Sequence, residues 1–465
     1  MTENTNWTRR KALKAMGLGI AGFMVPANFR TVKGSVPFIP LRQEPFVPDK
    51  PVTAITLGAG ARGNVYGNFA EAFPEMLNIT GVAEPVDIRR KRYKDQHGIP
   101  EENVFTTWEH VFSRPRFADA IIITTPDHLH YEPCMQALEM GYDILLEKPI
   151  APTEAECRDI LEKVNKTGQV VAVCHVLRYA PYFQKMEALL REDAIGEIVS
   201  MHHFEPIQHV HMAHSYVRGN WHNSDTSTPI ILAKSCHDTD MMRWLAGTPC
   251  RKISAFGNLK WFRSANAPAG APSRCTDNCP AEQTCPYSAL RIYYRNRDWI
   301  YVFDLPDDPE KHGEAILEYL RTTDYGRCVY RMDNNQPDHY VCAMEFDKGI
   351  TATFNMEAFT SYHGRRTRMM GAMGDIRGDM NTFTLTDFRT GESTEFDDSA
   401  EDVEHYQQSG HGGGDWRLMH DWVRAVAKQD ASLLTSTIEA SIESHLIGFA
   451  AEKSRQNGRT VEVKL

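Results

Sequence analysis

The stretch VTAITLGAGARG, residues 52–63, decides the fold of the first half of the chain. Its first six residues are mostly apolar and β-favouring, which predicts a buried strand. The strand runs into Gly58, Gly60 and Gly63, and residues 64–73 then follow a helical pattern. At this spacing the first glycine permits a tight turn, the second lets the backbone approach a pyrophosphate, and the third lets helix pack on strand. The stretch therefore predicts a strand–turn–helix unit whose helix N-terminus faces phosphates.

An acidic residue completes this predicted nucleotide site. Glu84 ends the next β-rich run, at the distance where a carboxylate accepts hydrogen bonds from ribose hydroxyls. A carboxylate there repels a 2′-phosphate, so it favours NAD over NADP, although the nearby Arg89 and Arg90 would tolerate a phosphate. Arg62, inside the glycine turn, is a further expected cofactor contact.

The alternation of strand and helix continues beyond Glu84. Buried strands are predicted at 119–125 and 143–146, with an amphipathic helix at 131–140 between them. Ligands of parallel sheets bind beyond the carboxyl ends of the strands. The side chains expected around the nicotinamide are therefore Thr125, Pro126, His130, Glu147 and Lys148. Residues 51–175 are predicted to form an NAD-binding Rossmann domain.

These motifs resemble the glucose-fructose oxidoreductase / inositol dehydrogenase (Gfo/Idh/MocA) family. The resemblance rests on the glycine turn, on Thr124-Thr125-Pro126 with His130, and above all on Glu147-Lys148-Pro149, and it covers residues 50 to 460. It implies an α/β protein in which residues 176–465 form a C-terminal α/β domain with an open, mostly antiparallel sheet. That domain would carry the substrate and often an oligomer interface. It also implies that Lys148 contacts substrate and nicotinamide ribose and helps in proton transfer.

Residue patterns in the second half agree with this expectation. Alternating apolar residues predict strands at 197–205, 340–346, 351–357 and 367–371, and helical spacing predicts helices at 416–426 and 436–452.

The resemblance extends to three positions of the expected substrate site. Arg178 lies in the family's Arg-aromatic-x-Pro entry to the second domain, and His237-x-x-Asp240 matches its His-x-x-Asp. His237 is the expected acid/base group, because an imidazole titrates near neutral pH, and Asp240 is its expected support. Family members that act on sugars commonly carry an Asp four residues before this His, where the chain has Ala233. Lys234 is expected to take part instead, forming a cationic cluster with Lys148 and His237.

Several other histidines are expected to reach the substrate. His211, His214 and Arg218 lie in a segment crowded with histidines, and we predict that these three contact substrate. The alternative for any one of these histidines is a plain polar loop residue. His411 lies in the glycine-rich turn HGGGD, which suits close approach of a ligand hydroxyl but equally suits an ordinary loop-to-helix junction.

Three cysteines at short spacing occur in a Pro- and Asn-rich insert, residues 263–290. Cys275, Cys279 and Cys285, with Cys328 as the expected fourth member, are predicted to form a structural zinc site. Disulfides are the alternative, favoured by an oxidising compartment, and free thiols are the third.

The N-terminus has the pattern of an export signal. Arg9 and Arg10 precede a mildly apolar, glycine-containing stretch, 15–25, which resembles a twin-arginine signal over residues 1–30. An amphipathic helix or a membrane anchor is the alternative. Residues 31–50 are predicted to be a linker or extended arm. We therefore expect a periplasmic protein that meets the membrane only through this signal and is exported with its cofactor already bound.

Charge and composition narrow the class of partner. The net charge of −10 and the lack of a basic stripe beyond the first residues argue against nucleic acid. A small carbohydrate is the expected substrate, and a homo-oligomer is the expected assembly. The first hypothesis is an NAD(P)-dependent oxidoreductase of a sugar or glycoside with a retained, recycled cofactor. The second is a glycosidase in which NAD oxidises the sugar transiently, as in NAD-dependent α-N-acetylgalactosaminidases. A sugar-binding protein with a vestigial nucleotide site is the third.

Overall fold

The computed structural model describes residues 30–37, 46–397, 406 and 409–464, with the backbone alone for 30–37. The predicted export segment, including Arg9 and Arg10, lies outside the described residues. Part of the predicted linker is a strand, β1 (Arg30–Pro37), which pairs in parallel with a strand at Glu392–Asp397. An edge strand has unpaired backbone groups that an extended arm can satisfy, whatever the side-chain pattern of the arm.

The first half of the chain forms a parallel sheet flanked by helices. Its elements in chain order are β2 (Val52–Leu57), α1 (Ala61–Ala72), β3 (Leu77–Ala83), α2 (Asp87–His97), β4 (Val104–Phe105), α3 (Trp108–Phe112), β5 (Ala120–Ile123), α4 (Tyr131–Glu139), β6 (Asp143–Leu146), α5 (Glu154–Thr167) and β7 (Val171–Val173). The spatial order is β4-β3-β2-β5-β6-β7. Leu57 pairs with Ile123, and Ile123 pairs with Leu146, so three strands end at the same level. The turns that follow them are thereby gathered at one edge.

The second half forms a larger sheet of ten strands. Its elements are α6 (Pro181–Arg191), β8 (Ile198–Pro206), α7 (Ile230–Ala233), α8 (Cys236–Ala246), β9 (Cys250–Asn258), α9 (His312–Thr322), β10 (His339–Phe346), β11 (Thr351–Glu357), β12 (Arg366–Gly371), β13 (Gly374–Gly378), β14 (Phe383–Asp387), β15 (Glu392–Asp397), α10 (Gly414–Lys428), α11 (Ile438–Asn457) and β16 (Val461–Glu462). The spatial order is β1-β15-β14-β13-β12-β8-β11-β10-β9-β16. Only the β1/β15 and β8/β11 pairs are parallel among these neighbours, which confirms the predicted open, mostly antiparallel sheet.

The two C-terminal helices join the halves. Trp422 of α10 is fully buried against the first sheet and donates from Nε1 to the Ile144 carbonyl (3.1 Å), whereas α11 contacts α8 and β9. The first half therefore completes its core with a helix from the end of the chain. No helix in the described part of the chain is long and apolar enough to cross a membrane.

The cysteine-bearing insert is larger than its predicted range of 263–290. It occupies the whole connection between β9 and β10, residues 259–338. It has a small apolar core of its own, which includes Ile292, Tyr293, Phe303 and Ile316. This core gives the insert a defined shape beside the main sheet.

Candidate functional site

The glycine turn has the geometry that its sequence predicts. Gly58 has φ +95°, and a Cβ there would lie 2.7 Å from the Thr124 carbonyl oxygen. A Cβ on Gly63 would lie 2.2 Å from the Gly58 carbonyl oxygen, whereas one on Gly60 would meet nothing within 4 Å. The space over Gly60 and the N-terminus of α1, which has no side-chain cap, is where a pyrophosphate would be bound. The turn therefore fits a dinucleotide.

Glu84 is buried at the end of β3, beside this turn. Its carboxylate accepts hydrogen bonds from the backbone N–H groups of Ala59 and Val86, each at 2.8 Å. Glu84 thus ties the glycine turn to the loop that follows β3. Arg89 is paired with Asp304 (2.7 Å), and Arg90 donates to the Glu84 carbonyl (2.6 Å). Both arginines that would tolerate a 2′-phosphate already have partners.

The loop after β5 is braced by His130. This histidine is buried, with Nδ1 2.7 Å from the Pro149 carbonyl oxygen and Nε2 3.0 Å from the Thr125 carbonyl oxygen. His130 therefore supports the Thr125–Pro126 loop and the Lys148–Pro149 turn rather than offering a nitrogen to the cofactor. That placement differs from the direct contact that the sequence predicted, because both ring nitrogens face backbone carbonyls.

An ion-pair chain crosses the two halves at the edge where the strands end. Arg62 donates to Glu147 (2.5 Å) and to Asp415 (2.7 Å), and Asp415 lies 3.2 Å from Nδ1 of His411. Burial raises the pKa of Glu147, but Arg62 and Lys148 outweigh it and hold that pKa below its ordinary value. Arg62 therefore forms ion pairs with two carboxylates. It fixes the turn at Glu147 against the glycine-rich turn that carries His411.

Lys148 and His237 meet at this edge. The Lys148–Pro149 peptide is cis, and Lys148 Nζ donates to the Ala233 carbonyl (3.0 Å) at the end of α7, whereas His237 is the second residue of α8. His237 is buried, and its Nδ1 has no hydrogen-bond partner. Burial, reinforced by Lys148, His411 and Arg365, lowers the pKa of His237 well below the ordinary value. The surroundings of His237 thus disfavour its protonated form.

A second polar cluster on β8 and α8 adjoins His237. Lys234 Nζ lies 3.2 Å from Glu205, and Arg365 bridges Glu205 (3.1 Å) and Asp238 (2.5 Å). Asp238 also accepts from His203 (3.0 Å). Burial raises the pKa of Asp238, but Arg365 and His203 outweigh it and lower that pKa to about 2. Lys234 thus has a carboxylate partner.

Arg178 and Asp240 pair with each other beneath the site. Arg178 donates from Nε and Nη2 to the two carboxylate oxygens of Asp240 (2.8 and 2.6 Å), and both side chains are buried. The sequence predicted that both belong to the substrate site, with Asp240 as the support of His237. In the structure the two charges pair with each other, and the pair anchors α8, the helix that carries His237.

His211 and His214 lie in an aromatic cluster with the insert. Their ring centroids are 4.5 and 4.7 Å from that of Trp299, and His214 Nδ1 is 2.9 Å from the Tyr293 hydroxyl. His211 also lies near Lys234 of the polar cluster. Burial, and then the charge of Lys234, lower the pKa of His211 well below its ordinary value. Trp299 adopts φ +59°, an unfavourable conformation for a bulky residue. Trp299 and Tyr301 of the insert therefore pack with His211 and His214.

Arg218 and the four cysteines occupy a different place. Arg218 lines a cavity together with Cys275, Cys279, Cys285 and Cys328. The sequence predicted a substrate contact for Arg218, but its buried side chain donates to the carbonyls of Arg327 (2.8 Å) and Tyr287 (2.7 Å) instead. All four thiols are free, so the disulfide alternative has no bond here. Among the described residues no group of three or more His, Cys, Asp or Glu is arranged to hold a metal ion.

Sequence reasoning missed four residues that shape the site: Glu205, Asp238, Trp299 and Arg365. Asp415, the last residue of the HGGGD turn, was not identified as a site residue either. A charged residue in a predicted strand, such as Glu205 within 197–205, was the one available signal.

Comparison with known proteins gives a consistent result. Residues 53–175 match the NAD-binding Rossmann domain of the Gfo/Idh/MocA oxidoreductase family, and residues 187–463 match its C-terminal alpha/beta domain. A putative oxidoreductase of Bacillus subtilis, YteT, is 24% identical over 373 residues, which is 76% of this chain and 83% of that protein. The 2,7-anhydro-N-acetylneuraminate hydratase of Escherichia coli is 31% identical over 87 residues, 19% of this chain and 23% of that protein.

A solved structure shares the fold. The scyllo-inositol dehydrogenase of Lactobacillus casei, with bound NAD(H) and scyllo-inositol, has a TM-score of 0.60 and 16% identity, and the match covers 89% of this chain and 99% of that one. With both family domains matched in order, the chain belongs to the Gfo/Idh/MocA family of NAD-binding oxidoreductases.

Proposed function

We propose that the chain is an NAD-dependent oxidoreductase of a sugar or glycoside that retains and recycles its cofactor. The observation that carries the proposal is that Lys148, at the edge that also holds the glycine turn, reaches the end of α7, next to the helix on which His237 lies buried with its Nδ1 unpartnered. Buried titratable groups without partners mark functional sites. Arg89 is paired with Asp304 and Arg90 donates to the Glu84 carbonyl, and these contacts support NAD over NADP.

The surroundings of Lys148 suit a polyhydroxylated ring. Lys234, Glu205 and His411 supply donors and acceptors for hydroxyl groups, and Trp299 supplies a flat apolar surface beside them. Sites of this kind combine an apolar wall with a few well-placed polar groups. The solved relative that binds scyllo-inositol is consistent with a polyol or sugar.

Each side chain has a definable role in such a reaction. Bound NAD supplies the hydride acceptor, and the glycine turn with Glu84 would hold it. Lys148 binds the hydroxyl of the carbon to be oxidised and stabilises the charge that develops on its oxygen. His237 accepts the hydroxyl proton. The Arg62–Glu147 pair holds the backbone at Lys148 in position.

A redox-cycling glycosidase is the second candidate. Ala233 stands where sugar dehydrogenases of the family commonly carry an Asp, and Lys234 is paired with Glu205 beside it. One relative is named as a hydratase, a name that implies no net oxidation. Both observations favour a closed cycle in which oxidation activates a neighbouring bond and the sugar is then reduced again.

Incubation of the purified chain with aryl glycosides tests the two candidates. The first candidate predicts that NADH accumulates, which is measured by absorbance at 340 nm, or that turnover requires an added carbonyl acceptor. The second predicts aglycone release without net NADH. The proposed substrate class is wrong if sugars, polyols and glycosides all leave the redox state of the cofactor unchanged and are not themselves converted.

Retention of the cofactor is supported by contacts between the insert and α2. Arg89 pairs with Asp304 (2.7 Å), and Arg92 donates to Asp307 (2.6 Å) and to the Leu305 carbonyl (2.8 Å). Helix α2 starts three residues after Glu84, so this segment lies next to the ribose side of the site. We infer that the segment around Asp304 covers the adenosine end and slows release of NAD.

The double substitution Asp304→Asn, Asp307→Asn tests this cover. Ion pairs near the surface contribute about 0–1 kcal/mol each, so loss of both is expected to speed NAD release by up to about thirtyfold. Stopped-flow fluorescence of bound NADH, displaced by excess NAD, measures the rate. Glu162→Gln, which removes the exposed pair with Lys166 on α5, is the matched control and should leave release unchanged. An unchanged rate in the double variant would remove this explanation for retention.

We also propose export to the periplasm through the Arg9-Arg10 segment, with the chain meeting the membrane only there, and assembly as a homo-oligomer. Cell fractionation checks the export, because the double variant Arg9→Lys, Arg10→Lys should stay in the cytoplasm. Light scattering of the purified chain checks the oligomer.

A further inference from the structure

The Lys148 turn, residues 148–150, is held in place by side chains. Glu147 Oε2 accepts from the N–H of Lys148 (2.9 Å). Nδ1 of His130 lies 2.7 Å from the Pro149 carbonyl oxygen. Both of these contacts come from the first half of the chain. The next backbone group, the N–H of Ile150, has its partner 295 residues further along, on helix α11.

His445 of α11 is that partner. It is fully buried, its Nε2 accepts from the N–H of Ile150 (3.0 Å), and its Nδ1 donates to the Ser441 carbonyl one turn earlier (3.0 Å). A ring nitrogen that accepts a hydrogen bond carries no proton, so the bond from Ile150 fixes the tautomer. Burial, and then His175, lower the pKa of His445 to about 3, in agreement with a neutral ring. His445 therefore acts as the acceptor for a backbone group of the Lys148 turn.

Helix α11 also lies behind the other end of Lys148. It packs against α7 so closely that a Cβ on Gly448 would lie 2.6 Å from Cδ2 of Leu232. The residue after Leu232 is Ala233, whose carbonyl accepts from Nζ of Lys148 (3.0 Å). Gly448 is three residues after His445, and residues at this spacing share a face of a helix. One face of α11 thus reaches both the backbone of the Lys148 turn and the segment that binds the lysine ammonium group.

His175 connects His445 to His237 by packing. Its ring centroid is 5.4 Å from that of His445 and 6.0 Å from that of His237, with the rings edge to face in both cases. His175 is fully buried, and neither of its ring nitrogens has a hydrogen-bond partner in the described part of the chain. The three rings therefore form a row from the Lys148 turn to His237.

We propose that His445 is a positioning residue, which sets the place of Lys148 relative to His237 through the N–H of Ile150. The inference rests on the function proposed above, in which Lys148 binds the hydroxyl of the carbon to be oxidised. A buried N–H that loses its acceptor is unfavourable, so without His445 the turn is expected to shift towards another acceptor or towards water. A displacement of about 1 Å can slow a reaction about 100-fold. His445 thus acts on the reaction through the Lys148 turn and the row of rings.

Two amide substitutions that differ in reach test this role. His445→Gln places an amide oxygen near the position of Nε2, whereas His445→Asn stops near the position of Nδ1 and leaves the N–H of Ile150 without an acceptor. We expect turnover of a sugar or glycoside to fall by about 10–100-fold in His445→Asn and to stay within about threefold in His445→Gln. The absorbance of copurified NAD should be unchanged in both, because the hydrogen bonds of His445 do not involve the glycine turn or Glu84.

Ser454→Ala is the matched control. Ser454 is buried on the same helix and accepts from the N–H of Ala255 in β9 (2.9 Å), rather than from the Lys148 turn. Its loss also leaves a buried N–H without an acceptor, so the midpoint of urea unfolding should fall. Turnover of the folded Ser454→Ala enzyme should not change. The same pattern in His445→Asn, lower stability with full turnover, would mean that His445 is only structural.

Hydrogen exchange tests the contact without any substrate. The Ile150 amide, followed by mass spectrometry of peptides that span residues 147–152, should exchange slowly in the unsubstituted chain and in His445→Gln. In His445→Asn it should exchange about 10–100-fold faster. Acetylation of Nζ of the half-buried Lys148, read in the same peptides, should be faster in His445→Asn alone.

These readings separate the inference from the function on which it rests. If the unsubstituted chain converts no sugar or glycoside, the proposed function fails, and exchange and acetylation still decide whether His445 places Lys148. Fast exchange of the Ile150 amide in the unsubstituted chain would overturn the inference. So would equal loss of turnover in His445→Asn and His445→Gln, or acetylation of Lys148 at the same rate in all chains.

Discussion

Replacement of Lys148 with Met is expected to reduce turnover by about 10²–10⁴-fold while NAD remains bound. Proton transfer and charge stabilisation by one positioned side chain contribute rate factors of this size. The glycine turn and Glu84 do not contact the Lys148 side chain, whose one hydrogen bond goes to the Ala233 carbonyl, so cofactor binding should survive. Single-turnover reduction of bound NAD measures the chemical step, and the absorbance of copurified cofactor measures binding.

The pH dependence distinguishes a chemical role of Lys148 from a structural one. Burial and then Lys148 lower the pKa of His237, so the acid limb of activity, where His237 gains its proton, lies below the ordinary imidazole value. Removal of the Lys148 charge lets that pKa rise, so the acid limb of the residual activity should move to higher pH. Lys163→Met, which removes an exposed lysine paired with Glu139, is the control. Turnover within about threefold of the unsubstituted enzyme would refute the role given to Lys148.

The nucleotide half of the protein was predictable because its signals are local. Strand, glycine turn and helix follow one another within residues 52–72, and Gly58 and Gly63 each have a nearby steric reason for their identity. The same holds for Glu147 and Lys148, which directly follow a buried strand. Parallel register then brings these turns together without further information from the sequence.

The substrate half was harder to predict because its contacts are long-range. Arg62 and Asp415 are 353 residues apart, and no pattern near either one indicates the pair. Arg178 and Asp240 were both predicted to belong to the substrate site. A charged residue in a buried segment indicates either a functional residue or an ion pair, and only the fold shows that these two residues pair with each other. Strands β13 to β15 were missed because they are short and half-exposed, with weak alternation. Arg218 was misplaced because its partners, the carbonyls of Arg327 and Tyr287, lie 109 and 69 residues away in the chain.

The second large effect is expected from the Arg178–Asp240 pair. Asp240→Asn keeps the shape of the side chain but leaves the Arg178 guanidinium buried without its counter-charge. Breaking a buried pair on one side costs about 3–5 kcal/mol, and we expect the free energy of unfolding to fall by that amount. Urea unfolding followed by fluorescence measures it, with an unchanged slope if the unfolded state is unaffected.

The double replacement Arg178→Met, Asp240→Leu shows whether the cost comes from the stranded charge. With both charges removed and the volume kept, the loss should be smaller than in Asp240→Asn, because no buried ion remains unpaired. Asp347→Asn, at an exposed pair with Arg251 in the same half, should change stability little. Since Asp240 lies one turn after His237 on α8, Asp240→Asn should also slow turnover. Equal stability of Asp240→Asn and the unsubstituted chain would mean that this pair does not anchor the helix that positions His237.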